Sequence, residues 1–294
     1  MQLPRPVTEG SRIGVIAPAG PFDHEAFKRG IAWLEERYEV SHDPDIYTSE
    51  GYFAGSDTRR SDEIIRAVID PDIDAIVCAR GGYGCTRILP GISIESLRDA
   101  NKLIIGFSDV TAFHALWNSA GVRSVHAPMV AALGSAPDPI REKWISAVEQ
   151  PESGRNWDLT RIDNNCKSTA RGEFIGGNLA VLGALNGTPY APDLNGKILF
   201  IEDVGERPYR VDRMLTTLSQ SGWFDRISGL VIGAFTEGAP GKDGISIEDV
   251  FASRFAAANF PVVTGLRAGH ITDNEPLPFG GTAEIAGGTL TLGG

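Results

Sequence analysis

Over about the first 130 residues, short β-branched runs alternate with stretches in which apolar residues recur every three or four positions. The runs at 12–17, 75–79, 103–106 and 124–126 read as strands. Between them, 24–37 places Phe27, Ile31 and Leu34 on one helical face, and 57–69 does the same with Ile64, Ile65 and Val68 behind Ser56 or Asp57 as N-cap. The stretch 109–119 carries Val110, Phe113, Leu116 and Trp117 and stops at Gly121. This alternation predicts a parallel sheet covered by helices. From 132 to 170 the texture turns to proline and small polar residues, with one short helical pattern at 139–149, and reads as a linker. A second unit begins near Gly172. Its strands are expected at 197–202, 230–234, 262–264, 282–286 and 289–292, the last two flanking Gly287-Gly288 as a hairpin. Its helices are expected at 179–185, 209–221 and 247–258. The expected organisation is an N-terminal domain 1–131, a linker 132–171 and a C-terminal domain 172–294.

Composition changes this picture little. A chain of 294 residues, 42% hydrophobic, has room for two cores. A net charge of −11 disfavours nucleic acid, whose binding needs a basic surface, and disfavours an anionic membrane for the same reason. No apolar run approaches the roughly 18 residues of a membrane span, and MQLPRPVTEGSRIG lacks the apolar core of a signal peptide. Cys78, Cys85 and Cys166 are too few and too scattered for a disulfide framework or a zinc site, so the expected compartment is a reducing cytoplasm. Glycine is the exception: 35 residues, well above the usual share of about 7%.

Many of these glycines stand where a strand ends. Arg80-Gly81-Gly82-Tyr83-Gly84 follows the run AIVCA, and backbone without Cβ brings N–H groups close to a ligand or a developing oxyanion. A purely structural turn is the alternative. A dinucleotide loop is disfavoured because the third glycine of GxGxxG is missing, and Gly241-Lys242 makes no P-loop. Leu103-Ile104-Ile105-Gly106-Phe107-Ser108-Asp109 has the layout of a nucleophile elbow, a serine on a tight turn between strand and helix. Ser108 or Asp109 could equally be a helix cap, and the GxSxG consensus fails at Val110. A nucleophilic serine needs a base. His24 and His42 lie in polar segments, His114 points away from the serine on its helix, and His126 ends a strand. His270, in a glycine-flanked loop after a strand, ranks above His126. The run Ile198-Leu199-Phe200-Ile201 ends in Glu202 and Asp203, where a desolvated acid would demand a partner such as an imidazole N–H. Glu202 is the first candidate; Asp203 or Glu206 could instead cap the helix after Pro208.

Taken together, GVIAPAG (14–20), ARGGYG (79–84), GFSDVTAFH (106–114), GGNL (176–179), GTPY (187–190), FIEDVGERPYRVDRML (200–215), LVIGAF (230–235) and GLRAGHITDNEPLPFG (265–280) resemble one family, the LD-carboxypeptidases. These serine peptidases include the murein tetrapeptide carboxypeptidases and the microcin C immunity peptidases. The resemblance implies an α/β fold, with a flavodoxin-like N-terminal domain, a C-terminal domain with a curved mixed sheet, and the active site in the cleft between them. It implies Ser108 as nucleophile, Glu202 and His270 as its triad partners, and the backbone amides of Gly82 and Asp109 as oxyanion hole, without metal or cofactor. The implied substrate is a small peptide, a murein tetrapeptide that loses its terminal D-alanine during cytoplasmic wall recycling. The alternative substrate is a peptidyl or aminoacyl adenylate analogue of the microcin type. Arg80, Arg207 and Arg210 are the cations available for the substrate carboxylate. Members of the family are often homodimers, and Trp223 and Phe224 are open either to an interface or to the core. A two-lobed ligand-binding protein without catalysis would explain the glycines and the linker, but not the serine, acid and histidine together.

Overall fold

In the computed structural model, which describes residues 1, 3–164 and 169–293, the β-branched runs form the expected strands; Cys166 lies outside the described residues. In chain order the strands are β1 (Arg12–Ile16), β2 (Glu39–His42), β3 (Ala75–Cys78), β4 (Leu103–Gly106) and β5 (Ser124–His126). They continue with β6 (Arg155–Asp158), β7 (Thr160–Arg161), β8 (Ala170–Asn178), β9 (Ile198–Val204), β10 (Gly229–Thr236) and β11 (Val262–Thr264). The last three are β12 (Leu277–Phe279), β13 (Thr282–Ala286) and β14 (Thr289–Gly293). The chain divides into two units, Met1–Pro151 with Pro276–Gly280, and Glu152–Glu275 with Gly281–Gly294.

The first unit is a six-stranded sheet, among the described residues, in the order β12-β5-β4-β3-β1-β2. Strands β1 to β5 are parallel and run in the flavodoxin order 2-1-3-4-5. Strands covered on both faces must be apolar throughout, which is why β3 and β4 are buried at every position. Ile13, Val15, Val77, Ile105 and Val125 meet Phe27, Leu34 and Trp144 from the covering helices in one core cluster. The strand order reverses between β1 and β3, so the loops that leave their carboxyl ends, and that of β4, share one edge of the sheet.

The second unit is a mixed, curved sheet of eight strands among the described residues, in the order β6-β14-β13-β8-β9-β10-β11-β7. Strands β8 to β11 are parallel at its centre, and the flanking strands pair antiparallel. Helices Leu179–Leu185, Pro208–Gln220 and Ile247–Phe255 cover it through Leu179, Val211, Leu215 and Phe255. Trp223 is buried in this core and Phe224, partly buried, packs against it.

The stretch 132–171 is not the linker its texture suggests. Helix Asp138–Glu149 buries Ile140, Trp144, Ala147 and Val148 in the first unit, while β6, β7 and the start of β8 build the second sheet. Edge strands this short, with alternate residues exposed, leave no hydrophobic run to read. Strand β12 was hidden for a related reason. It carries Pro278, which lacks a ladder N–H and is tolerated because β12 is an edge strand among the described residues, pairing antiparallel with β5. No helix among the described residues is long and apolar enough to cross a membrane.

Candidate active site

In the first unit the glycine-rich loop and the serine elbow pack directly on each other. Ser108 follows β4 by two residues and has φ 62°, the left-handed region that side chains other than glycine's rarely occupy. Holding a serine there costs on the order of 1–3 kcal/mol. Ser108 opens a single 3-10 turn, Ser108–Val110, that runs into helix Thr111–Ala120. Gly81 is buried against this serine: a Cβ built on it would lie 2.9 Å from Ser108 Cβ and 3.1 Å from Oγ. Gly82 is exposed, has φ 114°, and abuts Gly20, whose amide donates to the Gly81 carbonyl at 3.0 Å. Asp109 turns its carboxylate back to accept from the Cys85 amide at 2.8 Å, tying the elbow to the short helix that follows the loop. Burial pushes this carboxyl up from its ordinary value, and the Cys85 amide partly offsets that.

Two charged side chains from helix Asp57–Ile69 fix the loops at the strand reversal. Arg60 is fully buried and donates to Pro18 O at 2.6 Å and Gly84 O at 2.9 Å, bridging the loops after β1 and β3, with Asp57 as its counter-ion. Glu63 accepts from the Ala17 amide at 2.8 Å and from Arg59 at 2.7 Å. Desolvation outweighs the Arg59 charge and pushes Glu63 up to about 7.

Behind the elbow lies His114, buried on helix Thr111–Ala120. One ring nitrogen stands 2.9 Å from Gly106 O, the other 2.9 Å from Ser124 Oγ. A carbonyl can only accept, so Nε2 carries the proton and Nδ1 takes the serine hydroxyl. Burial drives this imidazole down to about 4. His114 therefore holds the backbone that leads into the elbow. His126 is fully buried among the rings of Phe107, His114 and Phe279, while His24 is exposed.

In the second unit Glu202 and His270 are brought together. Glu202 is fully buried on β9, and His270 Nδ1 lies 2.8 Å from its Oε2. Burial disfavours the imidazolium, but the hydrogen bond to Glu202 and its charge, helped by Asp203 and Glu237, hold His270 above its ordinary value. The histidine loop is braced at several points. Register slips in β10 between Ile232 and Phe235, and the Ala234 amide donates to Ala268 O at 2.8 Å. The Gly269 amide donates to buried Asn274 Oδ1 at 2.8 Å. Gly269, at φ 129°, lets the loop close on the acid, because a Cβ there would lie 2.8 Å from Glu202 Oε2.

Asp203 faces the other way along β9. It accepts from Asn178 Nδ2 at 2.8 Å and from the Ala180 amide at 3.0 Å, so it anchors helix Leu179–Leu185 rather than the helix after Pro208. Burial pushes its carboxyl up to about 6.

The N-terminal LD-carboxypeptidase domain matches residues 13–127 and the C-terminal LD-carboxypeptidase domain matches residues 171–285. A murein tetrapeptide carboxypeptidase of Pseudomonas aeruginosa is 32% identical over 95% of this chain and 94% of its own. The chain belongs to the LD-carboxypeptidase family. As a member it is a hydrolase of peptides. A crystal structure of muramoyltetrapeptide carboxypeptidase from Oxalobacter formigenes superimposes with a TM-score of 0.86 at 33% identity, covering 97% of this LD-carboxypeptidase family member and 99% of that chain. A microcin self-immunity protein of Escherichia coli is 26% identical over 95% of this chain and 91% of its own.

The three arginines expected around the carboxypeptidase substrate differ in their surroundings. Arg210 pairs with Glu206 at 2.7 Å. Arg207 is exposed at the start of helix Pro208–Gln220. Arg80 is exposed and donates from Nη1 to Pro21 O at 2.6 Å. Sequence reading missed Arg60, Glu63, Asn178, Asn274 and the bracing role of His114. Arg60 and Glu63 meet backbone groups distant in the chain and Asn274 meets an amide of its own irregular loop, so no periodic spacing announces them; Asn178, before an apolar helix, carried a readable N-cap signal.

Proposed function

We propose that this protein is a serine-type LD-carboxypeptidase that releases the terminal D-alanine from murein tetrapeptides in the cytoplasm, on fragments recycled from the wall. Ser108 Oγ attacks the scissile carbonyl while His270 Nε2 takes the hydroxyl proton. Glu202, hydrogen-bonded at Nδ1, fixes the tautomer and stabilises the imidazolium that forms. The amides of Gly82 and Asp109 donate to the oxyanion, each contributing on the order of 10²–10³ in turnover. The imidazolium then protonates the departing amine, D-alanine leaves, and His270 activates the water that hydrolyses the acyl-enzyme.

The observation that carries this reading is Ser108 at φ 62°, its side chain against Gly81 at the head of a helix, since a mere cap needs no left-handed serine. The Glu202–His270 pair supports it, and the free, buried thiols of Cys78 and Cys85 suit a reducing compartment. The test is release of D-alanine from a murein tetrapeptide, followed by mass. Wild-type chain yields the tripeptide; Ser108→Ala yields none while keeping its circular dichroism spectrum. Attack on an aminoacyl sulfamoyl adenylate with the tetrapeptide untouched transfers the reading to the microcin type. Failure of a fluorophosphonate probe to label Ser108 removes serine catalysis altogether.

A further inference from the structure

We propose that Arg80 is the residue that recognises the substrate's terminal carboxylate and so makes the enzyme act only at a chain end. The inference rests on the peptidase reading above and adds to it the source of exo-specificity. A carboxypeptidase must tell a free carboxylate from the amide of a continuing chain. That carboxylate carbon is three bonds from the scissile carbonyl carbon, hence within about 4 Å of it. Its partner must therefore stand beside the nucleophile, carry a full positive charge and be held in a fixed direction.

Within the first unit Arg80 carries the charge, has a fixed anchor, and adjoins in sequence the residue that packs on the nucleophile. It immediately precedes Gly81, the residue packed against Ser108 Cβ and Oγ. Its guanidinium is anchored by Pro21 O at 2.6 Å. Pro21 follows Gly20, which abuts Gly82 and receives the Gly81 carbonyl on its amide. The cation is thus tied to the same pair of loops that carries the proposed oxyanion donor. One of its five N–H groups is engaged by Pro21 O, which leaves the rest for a bidentate acceptor. It has no carboxylate partner among the described residues. The other arginines around these loops do: Arg59 is paired with Glu63, and Arg60 and Arg87 with Asp57. Of the remaining candidates Arg210 is neutralised by Glu206, and Arg207 is exposed with no ion pair among the described residues.

The experiment compares two tetrapeptides that differ only at the end, one closing in D-alanine and the other in D-alaninamide. A charge-assisted pair predicts that wild-type chain favours the free carboxylate by about 10- to 100-fold in kcat/KM. Arg80→Ala should collapse that ratio to below about 3-fold, with the loss on the carboxylate peptide falling in KM. Arg80→Lys, which keeps the charge without the planar fork, should restore part of it. Calorimetric binding of the same two peptides to Ser108→Ala and Ser108→Ala/Arg80→Ala reads the discrimination without turnover. An unchanged ratio in Arg80→Ala, or an equal loss on both peptides, overturns the assignment. Cleavage of neither peptide by wild-type chain overturns the peptidase reading, and Arg80's role with it.

Discussion

Ser108 sits in a conformation that most side chains avoid, and its neighbours show what keeps it there. Gly106 O is held by His114, Asp109 is held by the Cys85 amide, and Gly81 leaves no gap beside the hydroxyl. Gly81→Ala would put a methyl group 2.9 Å from Ser108 Cβ, closer than real contacts allow. Because a misplacement of about 1 Å can cost 10²-fold in rate, this variant should lose turnover by about that factor. Its thermal midpoint should fall far less; steady-state kinetics and a melting curve check both. His270 supplies a second prediction. Its imidazole titrates above the ordinary value and a general base must be neutral, so kcat/KM should fall as pH drops through a midpoint above 6.5. Glu202→Gln removes the charge that raises it and should shift that midpoint downward while lowering turnover, read from pH–rate profiles of both proteins.

At the scale of elements, β9 shows how one strand serves two ends. Alternation turns Glu202 to the histidine loop and Asp203 to helix Leu179–Leu185. Asp203→Ala should therefore cost about 1–3 kcal/mol, by leaving buried Asn178 Nδ2 and the Ala180 amide unsatisfied, as measured by urea unfolding. The two acids were legible as the polar end of an apolar strand, but which of them met an imidazole was not, because period 2 separates faces without naming what lies on each. Helix Asp57–Ile69 makes the same point. Its apolar face and its Ser56 cap were readable locally. The clamp that Arg60 and Glu63 form on the loops after β1 and β3 was not, because their partners are the backbone of Pro18, Gly84 and Ala17. The β10 irregularity is likewise set by pairing across strands, and the Asn274 brace by the fold of the histidine loop on itself.

For the molecule as a whole, buried titratable groups pull stability in opposite directions. His114 falls from 6.5 to about 4 in the fold, so between those values the unfolded chain binds a proton that the native state does not. Its contribution is complete above pH 6.5 and is lost as pH falls through 4. Glu63 and Asp203, raised to about 7 and about 6, act the other way: their contribution is present at low pH and is lost as pH rises through those values. His114→Phe should cost about 1–3 kcal/mol at pH 7, where Gly106 O and Ser124 lose a partner. The deficit relative to wild type should narrow as pH falls from 6.5 toward 4, in urea unfolding at a series of pH values. A truncated chain ending at residue 151 should melt below the same chain rejoined to 276–280, because it lacks the strand that pairs with β5.

The amino-acid pattern was enough for the α/β class, for the central strands and most of their helices, and for the strand-end positions of Ser108, Glu202 and His270. Each of these is written in local periodicity, in glycine placement or in motif. The tertiary structure alone decided that 132–171 is split between two units and that Pro276–Gly280 returns to the first sheet. It also decided that Arg60, His114 and Asn274 hold the loops in place. Edge strands carry too little hydrophobic signal to be read, and a hydrogen bond from a side chain to a distant backbone group leaves no trace in spacing.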